Sequence, residues 1–152
     1  MRWLLAGIFV LSLPASAAEL AGKPRIVDGD TLDLAGKKIR LFGIDAPEGK
    51  QTCTLDGKAW ACGIEARDAL ARLIDGKPIT CQQRDIDRYK RIVAVCHVEG
   101  LDLNGAMVRQ GWALAYRRYS RAYVEAEDEA RLAVVGIWRA KVTEPWEWRQ
   151  SR

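Results

Sequence analysis

The sequence predicts an α+β domain built on a small closed sheet, on three observations. Five short apolar runs with strand character are spread along the chain, four of them pairing off around polar connectors. Three longer stretches with apolar residues at helical spacing interrupt and follow those runs. The chain has 152 residues, enough for one domain with a real core and too few for two comfortable ones.

In order, the chain begins MRWLLAGIFVLSLPASAAEL: a single Arg, an apolar run from Trp3 to Leu13, then the small-residue triplet Ala15-Ser16-Ala17. That is the layout of a secretory signal peptide over residues 1–17, its apolar run too short for a mature membrane anchor. Residues 18–152 are then one mature domain, exported to the periplasm or secreted, and expected as a monomer. Formal charge is +4, falling to +3 once Arg2 is lost, and with a pI near 9.0 this suits a polyanionic partner.

Residues 23–27 are expected as the first strand. Residues 31–34 and 39–44 alternate apolar and polar and are joined by Ala35-Gly36-Lys37-Lys38, which reads as a hairpin. With Gly36-Lys37 at its tip, Asp30 falls opposite Gly43 and Asp45 projects just beyond on the same side. Glu48 follows a turn later. Residues 49–58 are polar and read as a loop held by Cys53. Residues 59–74 form an amphipathic helix stopped by Asp75-Gly76 and Pro78. Residues 79–83 and 92–98 are two more strands around a charged turn that ends at Arg91. Residues 103–110 make a short helix closed by Gly111, and residues 112–116 look extended. Ser120 is placed as the cap of a last helix, residues 121–135, closed by Gly136. Residues 144–152 are a Trp-containing tail without clear periodicity, and no repeat or low-complexity segment occurs.

Cys53, Cys62, Cys81 and Cys96 all fall in the exported part, where disulfides are favoured. Zinc is a poor fit, since no pair has knuckle spacing and the single His, His97, follows Cys96 inside a strand-like run. If the second hairpin turns symmetrically about the Arg88-Tyr89 bond, facing residues sum to 177, which sets Cys81 against Cys96. Cys53 is expected to pair with Cys62, tying the loop after Glu48 to the first helix.

The chemistry concentrates at the open end of the first hairpin. Asp30 and Asp45, a backbone carbonyl and waters would satisfy Ca²⁺, which takes six to eight oxygens in flexible geometry. Asp28 fits better as a turn-stabilising residue. Arg40 and Arg91 are planar cations able to bind phosphoryl oxygens bidentately; structurally, Arg40 could instead pair across the hairpin with Asp33. Alternation also puts Arg40 on the face opposite Asp30 and Asp45, so a bulge or barrel curvature is needed to unite them. Tyr89, Tyr116 and Tyr119 interleave with Arg88, Arg117 and Arg118, a pattern suited equally to stacking bases and holding phosphates or to an amphipathic surface.

Asp28-Gly29-Asp30-Thr31, then Ile39-Arg40-Leu41, then Asp45-Ala46-Pro47-Glu48 resembles the signature of the staphylococcal-nuclease-like (thermonuclease) family. The similarity extends over nearly everything after the first two dozen residues. It implies an OB-like five-stranded β-barrel with about three helices, and Ca²⁺-dependent endonucleolytic hydrolysis of DNA and RNA that leaves 3′-phosphate ends. It implies metal ligation by Asp30, Asp45 and the main-chain carbonyl of Ala46, where the family often has Thr. Glu48 matches the acid–base position and Arg40 and Arg91 the charge-stabilising pair. Before Arg91 the family usually has Gly, and this chain has Lys90. The rival reading is a non-catalytic OB-fold nucleic-acid-binding module, which would be expected to lack several of these five residues.

Overall fold

The computed structural model describes residues 17–152. The signal-peptide reading lies outside them except for Ala17, its last residue. The chain opens with β1 (Glu19–Gly22), β2 (Arg25–Asp28), β3 (Thr31–Leu34), β4 (Lys37–Leu41) and the two-residue β5 (Ile44–Asp45). A small hairpin of β6 (Cys53–Leu55) and β7 (Lys58–Trp60) leads into α1 (Cys62–Ile74). The long strands β8 (Ile79–Ile86) and β9 (Ile92–Val98) follow, then β10 (Leu101–Asp102), α2 (Leu103–Arg109) and β11 (Leu114–Ala115). The chain closes with α3 (Val124–Ala133), a 3₁₀ turn (Gly136–Arg139) and α4 (Pro145–Gln150).

The α+β, OB-like expectation holds: the sheet curls into a half-barrel with helices packed on it. Its strand order is β1-β8-β9-β4-β3-β2, with β10 added beside β9, and β4 lies parallel to β9. The sheet has seven strands rather than five: β1 forms ahead of the expected first strand, which survives as β2 from Arg25, and β10 adds beside β9. The chain breaks at Lys23-Pro24, so β1 and β2 lie at opposite edges of the sheet. Proline has no N–H to donate to a ladder, which suits it to such a break.

One face of the sheet is apolar and carries the core. Leu32, Leu34, Ile39 and Leu41 from β3–β4 pack with Ile79, Ala94 and Val98 from β8–β9, beneath Leu70 and Ile74 of α1 and Leu103 and Met107 of α2. Each fully buried Leu or Ile contributes roughly 1.5–3 kcal/mol.

The first hairpin is tighter than expected. Its tip is Ala35-Gly36, both with left-handed φ (53° and 82°), the backbone twist that two-residue hairpins favour. Leu34 therefore faces Lys37 and Thr31 faces Arg40. Asp30 lies across from Leu41 rather than Gly43, and the Leu41 N–H donates to its carbonyl at 2.8 Å.

In the second hairpin Thr80 faces His97 and Cys81 faces Cys96, as the symmetric turn requires. A bulge between Gln83 and Asp85 then shifts the register so that Ile86 faces Ile92. Both expected disulfides are present, Cys53–Cys62 and Cys81–Cys96. Cys96 turns its N–H to Asn104 Oδ1 (3.1 Å) instead of Cys81, so the second bridge spans a non-hydrogen-bonded pair with Cα atoms 4.1 Å apart.

The segment 49–58 holds β6 and the start of β7, so the first helix starts at Cys62 rather than at residue 59. Ser120 caps a turn, accepting from the Ala122 N–H, and α3 begins only at Val124. The left-handed residue that closes α3 is Val134, with Gly136 in the 3₁₀ turn beyond. The aperiodic tail contains a helix, α4, with Pro145 in its first turn, where a missing N–H costs nothing. Among the described residues no helix is long and apolar enough to cross a membrane.

Candidate active site

The turn between β2 and β3 supplies the first carboxylates. Asp28 accepts the Asp30 N–H at 3.2 Å, the turn-stabilising role expected of it. Asp30 is buried at 6% exposure, and its Oδ1 accepts from the Thr31 hydroxyl at 3.0 Å. Its Oδ2 accepts from the Ala46 N–H at 2.8 Å. Ala46 thus joins the site through its amide, a contact distinct from the carbonyl role assigned to it.

Past Leu41 the chain leaves the ladder through Phe42-Gly43, with Gly43 left-handed at φ 74°. Buried Asn104 anchors this departure, donating to the carbonyls of Phe42 (2.9 Å) and Ala94 (3.1 Å). β5 then presents Asp45, wholly buried, opposite Leu114. Arg40 reaches both carboxylates: Nη1 lies 2.7 Å from Asp30 Oδ2, and Nη2 donates to Asp45 Oδ1 at 3.0 Å. The conflict over faces dissolves here. Asp30 sits in the turn before β3 and Asp45 beyond the Gly43 turn, so strand alternation governs neither. Arg40 does not pair with Asp33, which binds Arg25 and Lys38 instead.

Glu48 rides on the loop after β5. Its N–H donates to Oε1 of buried Gln51 (3.2 Å), whose Nε2 donates to the Thr143 carbonyl (2.7 Å). Gly63, in the first turn of α1, lies so close that a side chain there would overlap the Glu48 carbonyl. The loop is held from both sides.

Arg91 is not brought to the carboxylates. Its Nε donates to Asp87 Oδ2 at 2.7 Å, its N–H to Asp87 Oδ1 at 3.0 Å, and its guanidinium lies 5.4 Å from the Tyr89 ring centre. Lys90 has φ 62°, the left-handed conformation that a glycine adopts without steric cost, so Lys90 keeps the turn while carrying backbone strain. Tyr89 and Tyr116 line a groove of about 570 Å³ together with Arg88, Arg117, Trp146 and Arg149. Tyr119 stands behind Tyr116, ring centres 4.9 Å apart, and does not line the groove.

Arg149 was not foreseen. From α4 it donates to Asp45 with both terminal nitrogens (3.1 and 2.9 Å) and to Glu48 Oε1 at 2.6 Å. The signature residues therefore lie in one patch, bound by two guanidiniums.

The staphylococcal nuclease homologue family model matches residues 38–140. The chain belongs to the staphylococcal nuclease family. The matched stretch holds Arg40, Asp45, Glu48 and Arg91, while Asp30 and Arg149 fall outside it. The chain is 37% identical to Protein ParB of Escherichia coli, covering 95% of this chain and 86% of that protein. It is 32% identical to a micrococcal nuclease of Shigella flexneri (96% and 89% covered) and 34% identical to an uncharacterized endonuclease of Escherichia coli (95% of both).

The electrostatics of this family site follow from burial. Burial, with the charge of Asp30, pushes Asp28 up to about 7. Burial also pushes Asp45 up to about 6, with Asp30 adding to it and Arg149 and Arg40 opposing. Burial would raise Asp30 as well, but Arg40 and the hydrogen bonds from Asp28, Ala46 and Thr31 outweigh it and hold the carboxyl below its ordinary range. Arg40 stays charged, because Asp30, Asp45 and Asp28 more than offset its own burial.

Among the described residues no three His, Cys, Asp or Glu side chains form a metal cluster. The donor set still suits a hard cation. Asp30 and Asp45 touch one guanidinium, every ligand atom is oxygen, and the site needs only two carboxylates if a main-chain carbonyl and waters complete it.

The residues missed by sequence reading are Gln51, Asn104, Glu127 and Arg149. Glu127, buried at 1% exposure, accepts from the Ala115 N–H and from Arg117, bracing the loop that carries Tyr116. A signal existed only for Arg149, a cation directly after the two tryptophans of the tail.

Proposed function

We propose that the protein is an exported Ca²⁺-dependent endonuclease that hydrolyses phosphodiester bonds of DNA and RNA, cutting at the 5′ oxygen and leaving 3′-phosphate ends. One observation carries the reading: in a staphylococcal nuclease family chain, Arg40 bridges two buried carboxylates, Asp30 and Asp45, within a patch that also includes Glu48.

Asp30, Asp45 and the Ala46 carbonyl would hold the ion, which when bound polarises a phosphate and acidifies a water. Glu48 takes the proton of the attacking water. Arg40 binds the phosphoryl oxygens on which charge gathers. Its Nη1 is buried 2.7 Å from Asp30 Oδ2, so the guanidinium turns from that carboxylate to meet the phosphate. Arg91 supplies the second guanidinium from the β8–β9 turn after exchanging Asp87 for phosphate. Tyr89 and its flanking arginines guide the strand along the groove. Two disulfides and the apolar leader support export, and the net positive charge that remains without Arg2 supports a polyanionic substrate.

The test incubates the purified mature protein with plasmid and with RNA, in Ca²⁺ or in chelator. Both are cut in Ca²⁺ alone, and Asp30→Asn, which keeps the side-chain shape beside Arg40, cuts neither. Full cleavage in excess chelator defeats the calcium mechanism. Binding of both polymers without any cleavage favours the non-catalytic module.

A further inference from the structure

The second cation at the carboxylates comes from outside the barrel. Asp30 is held by Arg40, the Ala46 N–H and the Thr31 hydroxyl, all built into the β2–β5 framework. Asp45 differs. Its Oδ1 is shared by Arg40 and Arg149, and its Oδ2 is bound by Arg149 at 2.9 Å. Arg149 also takes Glu48 Oε1 at 2.6 Å. Its side chain remains 38% exposed, so it approaches from the solvent side of the patch.

A second contact of the same segment is independent of charge. Trp146, one turn earlier on α4, stacks on Tyr116 with ring centres 5.5 Å apart and planes within 19°. Tyr119 packs against the same tyrosine. While α4 is docked, that face of Tyr116 is not open to a base. The segment thus covers the groove at two points, with a cation on the carboxylates and an aromatic ring on a candidate base platform.

The attachment of α4 is apolar as well as polar: Pro145 is buried, and Val142 and Trp146 pack against the cluster of Cys53, Cys62, Leu114 and Ile137. Lys141 exchanges both backbone hydrogen bonds with Thr54 of β6, at 2.8 and 3.0 Å, and the Thr143 carbonyl accepts from Gln51. Residues 142–144 form neither helix nor strand, so the root of the tail is fixed and its end is joined by a short link.

Charge balance favours an exchange. Ionised Asp30, Asp45 and Glu48 carry three negative charges, against one each from Arg40 and Arg149. A divalent cation in place of Arg149 brings one more positive charge to the patch, which also holds the Asp28 carboxyl against Asp30. A guanidinium and a metal ion cannot occupy the same lone pairs of Asp45.

We propose that α4 is a strap displaced by the divalent cation: Arg149 is the resident counter-ion of Asp45 and Glu48, and Ca²⁺ binding releases it and uncovers Tyr116. The proposal rests on the calcium reading of the same carboxylates and adds a competition within the chain. Because docking and Ca²⁺ binding exclude each other, weakening the strap strengthens the ion, and the ion weakens the strap.

Calorimetric titration with CaCl₂, without nucleic acid, is run on the wild type, Arg149→Gln and Trp146→Ala. Arg149→Gln binds Ca²⁺ roughly tenfold more tightly, the equivalent of about 1.4 kcal/mol. Trp146→Ala, which leaves every carboxylate contact in place, shifts affinity the same way by a smaller factor. In hydrogen exchange of the wild type, saturating Ca²⁺ removes protection from residues 145–151 and leaves β8 and β9 protected. Unchanged or weaker Ca²⁺ binding by Arg149→Gln overturns the strap, since Arg149 would then be neutral to the site or would organise it. Undiminished protection of α4 at saturating Ca²⁺ overturns it equally. Absence of Ca²⁺ binding in all three proteins defeats the calcium reading itself, and the strap with it.

Discussion

At the scale of single residues, Arg40 has to be judged both as a counter-ion and as a catalytic group. Removing one partner of a buried ion pair costs about 3–5 kcal/mol, so Arg40→Ala confounds activity with folding. Arg40→Lys keeps the charge and loses the two-armed geometry that touches Asp30 and Asp45 at once. It should retain the fold by melting temperature while single-turnover cleavage falls about 100- to 1,000-fold. Wild-type speed in that variant removes Arg40 from the transition state. Asp28 and Asp45 give a pH signature in the metal-free protein. Their native pKa values, about 7 and about 6, lie above the ordinary 3.8, so the native state binds these protons more tightly than the unfolded chain. Their ionisation therefore costs stability as pH rises through the native values, and stability returns as pH falls. In chelator the melting temperature should climb as pH drops from about 8 to about 5. It should then fall below about pH 4, where Asp30, Asp33 and Asp87, all shifted the other way, take up protons. A melting temperature that falls steadily from pH 8 to pH 5 would show that the carboxylates are not buried as described.

At the scale of elements, β8 and β9 are the longest strands and carry the turn that holds Arg91. The Cys81–Cys96 bridge closes a loop of 15 residues around that turn. Chain entropy puts such a bridge at roughly 3 kcal/mol, so the double Cys81→Ser, Cys96→Ser variant should lose about that much in urea unfolding. Cleavage should slow before global unfolding if the turn must stay in place to deliver Arg91. Unchanged unfolding midpoints would mean the ladder alone fixes this hairpin. The bulge at Gln83/Asp85 also shows why the symmetric register could be right at Cys81 and still miss at Ile86. A bulge adds a residue to one strand only, and its position depends on twist rather than on the apolar pattern.

At the scale of the whole molecule, Gln51 joins the Glu48 loop to the root of the tail, receiving the Glu48 N–H and donating to Thr143, ninety-two positions away. Gln51→Ala takes this partner from the half-buried Glu48 and from Thr143, a loss of about 1 kcal/mol, and frees the Glu48 loop. Turnover should fall while affinity for DNA at fixed salt is unchanged; full turnover in that variant would show that Glu48 needs no such brace. The sequence by itself determined the α+β class, the two disulfide pairs and the residues of the signature. These follow from local rules: apolar period, facing positions across a hairpin, and a short run of residues with a known order. It also placed Asp30 and Asp45 together, although the register argument behind that placement was two residues out at Thr31 and Arg40. The tip turned at Ala35-Gly36, and a non-Gly residue in the left-handed region carries no reliable sequence mark. Tertiary structure alone decided that Arg40 reaches both carboxylates, because the Gly43 turn takes Asp45 out of the strand's alternation. It alone decided that Arg91 rests on Asp87 and that Arg149, 104 positions beyond Asp45, takes a place on the carboxylates. Such contacts are set by where the curled sheet and its helices bring distant segments. A six-residue helix is too short to announce itself by periodicity, and it forms here because Trp146 finds Tyr116 and Arg149 finds Asp45.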